Sequence, residues 1–169
     1  FVLTIVALGF FIIIWQSGVP AGGLIGASQP LPRLDQSPAE AATILQTWMA
    51  DNWAEDARLV ACTFTLTRRN PTEQSWSCQA YSAQNNRLLV ALVQDQEVKV
   101  LHDIAALYTP TVLSATVWNK DFQDILKAWW HAGGSTAWNA PATATVTIHL
   151  SMREDGAPAW QLTLTKDKL

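Results

Sequence analysis

The sequence is poor in charged residues and in the residue types that most often carry out chemistry. Charged side chains make up 15% of the 169 residues, the net charge is −3, and there are three histidines and two cysteines. Globular proteins average about 25% charged residues. No basic surface is indicated, so the composition argues against a nucleic-acid partner.

Catalytic and metal-binding motifs are also missing from the sequence. His102, His131 and His149 form no pair with metal-ligand spacing, and the cysteines show neither haem-attachment nor iron–sulfur spacing. There is no GxSxG motif, and neither cysteine has a base next to it. The scattered acidic residues are typical of solvated faces. We therefore predict no catalytic residue, no cofactor, no metal site and no enzymatic activity.

The first fifteen residues, FVLTIVALGFFIIIW, carry no charge and are apolar apart from Thr4 and Gly9. A membrane-spanning helix needs about 20 apolar residues, whereas a cleavable signal peptide has an apolar stretch of about 7–15. Length alone fits both alternatives. We predict the retained anchor, a single-pass transmembrane helix over residues 1–17, which places Trp15 at the far membrane interface. The N-terminus is then cytoplasmic.

The rest of the chain divides into a linker and one domain. Residues 18–36 are rich in glycine, proline and serine and show no periodicity, which is typical of a linker. Residues 37–169 are predicted to form an α+β domain in which two helices pack on an antiparallel sheet. With the anchor retained, this domain lies on the periplasmic or extracellular side of a bacterial cytoplasmic membrane.

Two segments have the apolar spacing i, i+3, i+4, i+7, i+8 of a helix lying on a core. The first follows Ser37-Pro38-Ala39-Glu40, which predicts a capping box with proline at the first helical position. The second runs from about Asn119, a plausible N-cap, to Ala132, with Gly133-Gly134 as its stop. The apolar positions are Ala41, Ile44, Leu45, Trp48 and Met49 in the first and Phe122, Ile125, Leu126, Trp129 and Trp130 in the second.

The two cysteines fall in a predicted hairpin of strands 59–67 and 75–81 around a turn at Asn70-Pro71. The apolar alternation aligns residues whose numbers sum to 140, so that Phe64 faces Trp76, Val60 faces Ala80 and Cys62 faces Cys78. Directly opposed residues have Cα atoms about 4.5–5.5 Å apart, within the range that a disulfide needs. We therefore predict a Cys62–Cys78 disulfide, the alternative being two buried thiols. The bond fits an oxidising compartment.

Four further strands are predicted. Residues 88–93 and 98–101 flank a turn at Gln94-Asp95-Gln96, and residues 102–110 are ambiguous. A last hairpin of residues 143–150 and 159–165 turns at Glu154-Asp155-Gly156. Pairs that sum to 310 place its apolar residues opposite one another: Val146 and Leu164, Ile148 and Leu162, Leu150 and Trp160.

The two halves of the domain are similar to each other. Ile44-Leu45-Gln46-Thr47-Trp48 matches Ile125-Leu126-Lys127-Ala128-Trp129, and each helix precedes a hairpin whose second strand opens with tryptophan, Trp76 or Trp160. We predict a helix–hairpin repeat over residues 37–101 and 117–169. This tandem pattern resembles PepSY-like (cystatin-like) extracytoplasmic domains. The resemblance implies a regulatory or binding role without catalysis, and it carries no functional residues.

Two functions are compatible with these features. The first is a non-catalytic, single-pass accessory subunit of a larger bacterial membrane complex, for which a respiratory or photosynthetic electron-transfer assembly is the expected host. Its partners would be other subunits of the complex and, through residues 1–17, the lipid bilayer. The second is a PepSY-like binding or regulatory module that acts on a partner protein, which predicts an exposed groove or sheet edge.

Overall fold

The computed structural model describes residues 2–7, 10–15, 36–67, 74–114, 122–139 and 144–166. The predicted linker, apart from Gln36, and the turn at Asn70-Pro71 lie outside these residues. So does Asn119, the predicted N-cap of the second helix.

The apolar N-terminal segment differs from the helix that its hydropathy predicts. It forms two antiparallel strands, β1 (Val2–Ala7) and β2 (Phe10–Trp15), paired in a sheet of their own. Isoleucine, valine and phenylalanine favour strands, and the helix prediction depended on lipid, which forces every peptide group to bond within its own segment. Within the described residues, no helix combines the length and hydropathy needed to cross a membrane.

The domain is α+β, as predicted. Its elements in chain order are α1 (Pro38–Asn52), β3 (Arg58–Thr67), β4 (Ser75–Ser82), β5 (Arg87–Gln94), β6 (Glu97–Ala105), α2 (Phe122–Trp129), α3 (Ser135–Asn139), β7 (Ala144–Met152) and β8 (Pro158–Lys166). Strands β3 to β8 form one antiparallel sheet of order β6-β5-β4-β3-β7-β8. The β1–β2 hairpin lies beside β8.

Helix α1 begins as its sequence predicts. The Ser37 side chain accepts from the Glu40 backbone N–H at 3.2 Å, and the Glu40 carboxylate accepts from the Ser37 backbone N–H at 2.7 Å. This capping box satisfies two of the N–H groups that a helix start leaves without intrahelical partners. The helix places Leu45 and Met49 fully inside the core, whereas Ile44 and Trp48 are half-buried against it.

The hairpin registers are confirmed, with one correction. Phe64 pairs with Trp76 and Cys62 with Cys78, and the β7–β8 pairs sum to 310 as predicted. The correction concerns Val60, which does not face Ala80: Leu59 occupies that place, and the register shifts between Leu59 and Ala61. A β-bulge inserts one residue that strict alternation does not anticipate.

The helix breaks at the predicted double glycine, but a further short helix, α3, follows it. A π-helical turn (Trp130–Gly134) joins α2 to α3, and Gly133 has a φ of 109° inside it. Glycine enters this region without a Cβ clash, so the chain kinks and resumes as helix. Strand β6 also extends to Ala105, beyond the predicted end at Leu101.

One hydrophobic core lies between the sheet and the helices. The inner face of the sheet packs with residues of all three helices, and its largest fully buried side chains are Trp76, Trp129, Trp160 and Phe64. The rings of Phe64 and Trp76 lie 4.9 Å apart between centroids. The helices therefore cover one sheet face, and the opposite face, called the outer face below, is turned away from them.

A methyl group at Gly134 is expected to destabilise the domain. A Cβ there would lie 2.5 Å from Cδ2 and Cε2 of the Trp129 indole and 2.8 Å from the Trp129 carbonyl oxygen. Overpacking of this kind costs about 1–3 kcal/mol, so Gly134→Ala should lower the free energy of unfolding by that amount in urea titration. If the contact is the cause, the double variant Gly134→Ala/Trp129→Leu loses less than the two single losses combined. Simple additivity would contradict this explanation.

Candidate functional site: an uncharged sheet face

The one predicted covalent feature is present. Cys62 and Cys78 form a disulfide across β3 and β4, with their Cα atoms 4.1 Å apart. Both residues are buried on the inner face, 1% and 0% exposed. Because the bond lies beneath the helices, it stabilises the sheet, and its burial keeps it from thiols in solution.

The three histidines lie in separate places. His102 is on β6, His131 is in the π-helical turn and His149 is on β7. Across the described ranges, no three His, Cys, Asp or Glu side chains come together in a way that could hold a metal ion.

An open cleft of about 710 Å³ lies beside the start of α1 and the β5–β6 turn, lined by Gln36, Ala39, Glu40, Thr43, Ile44, Gln74, Asp95 and Gln96. The Glu40 carboxylate in this cleft already accepts the hydrogen bond of the capping box from the Ser37 backbone N–H. The backbone N–H of Ser37 is the main reason that the pKa of Glu40 lies below its ordinary value. Glu40 is therefore a hydrogen-bonded anion with a structural role and a poor general base.

Four of the six strands of the outer face are almost free of charge. Arg58 and Lys166, at the ends of β3 and β8, are the only charged residues among the four strands β3, β4, β7 and β8. The register places hydroxyl side chains in rows across these strands, such as Ser75, Thr65, Thr147 and Thr163. Seven threonines share this face: Thr63, Thr65, Thr67, Thr145, Thr147, Thr163 and Thr165.

The part of the outer face that β5 forms is apolar. Strand β5 has six consecutive apolar residues, of which Leu89, Ala91 and Val93 are buried in the core. Leu88, Val90 and Leu92 alternate with them on the outer face and stay half-exposed. Antiparallel sheets with one solvated face normally alternate apolar and polar residues, and β5 departs from this alternation.

The area of the outer face is large enough for a specific interface. Six strands about 4.8 Å apart, each about eight residues long at about 3.3 Å per residue, give roughly 700 Å². A standard protein–protein interface buries about 800 Å² on each partner. The core of such interfaces is depleted in charged residues, which is the composition observed here.

His149 lies on the outer face, on β7, one strand in from β8. Its Nδ1 is 2.7 Å from Oγ1 of Thr63 on β3, and Gln161 of β8 is its partner on the other side. Burial lowers the pKa of this imidazole below its ordinary value, since a half-buried cation loses hydration that no neighbouring group replaces.

The β6 edge has a different character. Six large hydrophobic residues are exposed in this part of the described chain, on β6 and the segment after it: Val100, Leu101, Ile104, Leu107, Tyr108 and Val112. Charge is also present, because Arg87 Nε donates to Asp103 Oδ1 at 2.7 Å and this bond is the main reason that the pKa of Asp103 is lowered. A register shift between His102 and Val100 adds a bulge. Charges and bulges are the devices by which edge strands avoid pairing.

No binding residue was predicted from the sequence, and the outer face was not anticipated. Two signals were readable, the six apolar residues of β5 and the absence of charge from four strands. No protein-family model, curated protein or solved structure matches this chain. The argument for function therefore rests on the chemistry of the outer face.

Proposed function

We propose that this protein is a non-catalytic accessory subunit of a larger membrane protein complex, and that its outer face binds a neighbouring subunit. The observation that carries this proposal is a sheet face of roughly 700 Å² on which four of the six strands are nearly free of charge and a fifth, β5, is apolar on both sides over six residues. Among the described residues, no three His, Cys, Asp or Glu side chains come together in a way that could hold a metal ion.

The chemistry of the face selects the kind of partner. Nucleic acid and anionic lipid headgroups are bound through lysine and arginine, and the hydroxyl-bearing strands offer almost none. Leu88, Val90 and Leu92 supply aliphatic contact, and the threonines supply hydroxyl groups that can donate and accept. An uncharged protein surface can contact both the aliphatic side chains and the hydroxyl groups. The proposed occupant is therefore a protein subunit with a neutral contact face.

Attachment to the membrane through residues 1–17 is part of the proposal. A lone hairpin such as β1–β2 leaves its outer peptide groups unpaired, which lipid does not tolerate. The proposal therefore requires this segment to become helical in a bilayer. Circular dichroism of the full chain should gain helix signal when it is reconstituted into neutral lipid vesicles. An unchanged spectrum with the protein left in solution would contradict membrane attachment and leave the docking face untouched.

The predicted side of the membrane follows from the same proposal. With residues 1–17 spanning and the N-terminus in the cytoplasm, the domain lies on the periplasmic or extracellular side, where a disulfide persists. An electron-transfer host complex stays a prediction. The identity of the subunits that co-purify would decide it.

The size of the native assembly tests the proposal. Tagged full-length chain, extracted in mild detergent from the organism that encodes it, should sediment as part of a complex larger than the monomer, together with the same subunits in every preparation. Sedimentation as a free monomer at all concentrations would refute the proposed function.

A PepSY-like binding module is the second candidate function, and the exposed β6 edge favours it. The two-residue turn makes Gln94 and Glu97 a hydrogen-bonded pair, so Val98 and Val100 direct their backbone N–H groups away from β5. An extended segment of a partner could bond to them. Val100→Pro removes one of these donors while leaving the outer face intact. If partner binding is lost in this variant alone, the edge is the binding site and the outer face is not.

A further inference from the structure

We propose that His149 makes docking through the outer face sensitive to acid, so that the neighbouring subunit is released when this imidazole gains a proton. The inference rests on the proposed function, because it concerns the same face. It adds a regulating residue that a merely adhesive surface would not need.

The position of His149 is the first support. It lies on β7, between β3 and β8, with Thr63 opposite on one side and Gln161 on the other. The neighbours on its own strand that share the face are Thr147 and Ser151. A partner seated on the face would therefore cover the ring completely, whereas in the free chain the ring is half-exposed.

The surroundings contain no group that could balance a charge. Strands β3 and β7 and residues 158–165 of β8 include no acidic side chain, and Arg58, at the far end of β3, has the wrong sign. Strand β2, which lies beside β8, is wholly apolar in sequence. The face also carries Tyr81 on β4, two strands away, and Glu97, Lys99 and His102 on β6, four strands away at about 4.8 Å per strand.

The hydrogen bond to Thr63 does not favour one protonation state. Neutral Nδ1 accepts from the threonine hydroxyl, and protonated Nδ1 donates to the same oxygen, so the 2.7 Å contact serves both. Hydration is what distinguishes the two states. The imidazolium loses water when a partner covers it, and the lowered pKa of His149 in the free chain has the same cause.

The direction of the effect follows from proton linkage. Docking lowers the pKa of His149 further, so the free chain binds more protons than the complex over the pH range between the two values. Affinity is then constant above the pKa of the free chain and falls by up to about tenfold per pH unit below it. Acid should release the partner, and neutralisation should restore binding.

The test compares four full-length chains purified in mild detergent at about pH 7.5 and about pH 4.5, the lower value set well below the ordinary histidine pKa because the pKa of His149 is lowered. The chains are the wild type, His149→Asn, His149→Gln and the control His131→Gln, which lies in the π-helical turn. The readout is the fraction of each chain that sediments with the assembly. Wild type and His131→Gln should leave the assembly at the lower pH, and both His149 variants should stay. Thermal melts at neutral pH show that the variants are folded.

The outcomes separate this inference from the proposed function. Wild-type chain that is monomeric at both pH values refutes the proposed function and the inference with it. Assembly that persists at both pH values overturns the inference alone. Acid release that continues in both His149 variants also overturns it and transfers the effect to another group, which His102→Gln would then identify.

Discussion

Replacing Gln79 by lysine is expected to detach the protein from its neighbouring subunit. Gln79 is exposed on β4 at the middle of the outer face, between Ala61 of β3 and Val90 of β5. A partner seated there would bury the new ammonium group with no acidic residue near it. A charge left unpaired in an interface costs about 2–5 kcal/mol, which corresponds to a loss in affinity of roughly thirtyfold to several thousandfold. The fraction of chain that sediments with the complex measures it.

A matched control exists on the opposite side of the molecule. Gln46 is also exposed, but it lies on α1, which covers the other face of the sheet. Gln46→Lys makes the same chemical change and should leave the assembly intact. Gln79→Glu should act like Gln79→Lys, because desolvation penalises either sign. Equal behaviour of the Gln46 and Gln79 variants would show that the outer face is not the interface.

Removal of the Cys62–Cys78 disulfide is expected to have the largest effect on stability. The bond closes a loop with a sequence separation of 16, and in the chain-entropy model a loop of this length contributes about 3 kcal/mol. Cys62→Ala/Cys78→Ala should therefore lower the melting temperature by roughly 10 °C. Calorimetry of the oxidised wild type and the double variant measures the difference.

A nearby pair on the same two strands provides the control. Thr65 and Ser75 are opposed three residues further along, on the outer face, so Thr65→Ala/Ser75→Ala alters side chains without changing the length of any closed loop. Its melting temperature should stay close to that of the wild type. A disulfide variant as stable as this control would contradict the role given to the bond, as would purified protein whose mass does not rise by two hydrogens when it is reduced after denaturation.

Local sequence patterns predicted much of the fold. The registers of both hairpins follow from alternation, because shifting a strand by one residue would turn its whole apolar set away from the core. The capping box at Ser37 was equally readable, since it involves residues three apart. Such features depend on neighbours in the chain or across one turn.

The incorrect predictions concern segments whose conformation depends on residues distant in sequence or on the surrounding solvent. Val60 falls in a bulge that the alternating pattern does not reveal. Gly133-Gly134 interrupts the helix as local rules predict, but the short helix α3 that follows the kink was not anticipated. For residues 2–15 the same β-branched and aromatic side chains suit a strand or a lipid-embedded helix, and the solvent determines which forms.

The candidate site was only partly predictable. The six apolar residues of β5 are visible in the sequence, and they indicate a strand covered on both faces. The extent of the outer face depends on strand order, however, because the pairing of β3 with β7 brings the two uncharged hairpins into one sheet. No local sequence pattern specifies that strand pairing. The same order sets the two predicted repeat hairpins side by side, and the duplication itself stays a prediction.

Photo-crosslinking from the outer face tests the central claim most directly. A photoreactive amino acid is placed at Gln79 in one chain and at Gln46 in another, and each is irradiated in its native membrane. The account predicts a covalent adduct between position 79 and one particular neighbouring subunit, and none from position 46. Adducts from position 46 alone, or no protein adduct from position 79 while the chain sediments in a complex, would show that the partner binds elsewhere.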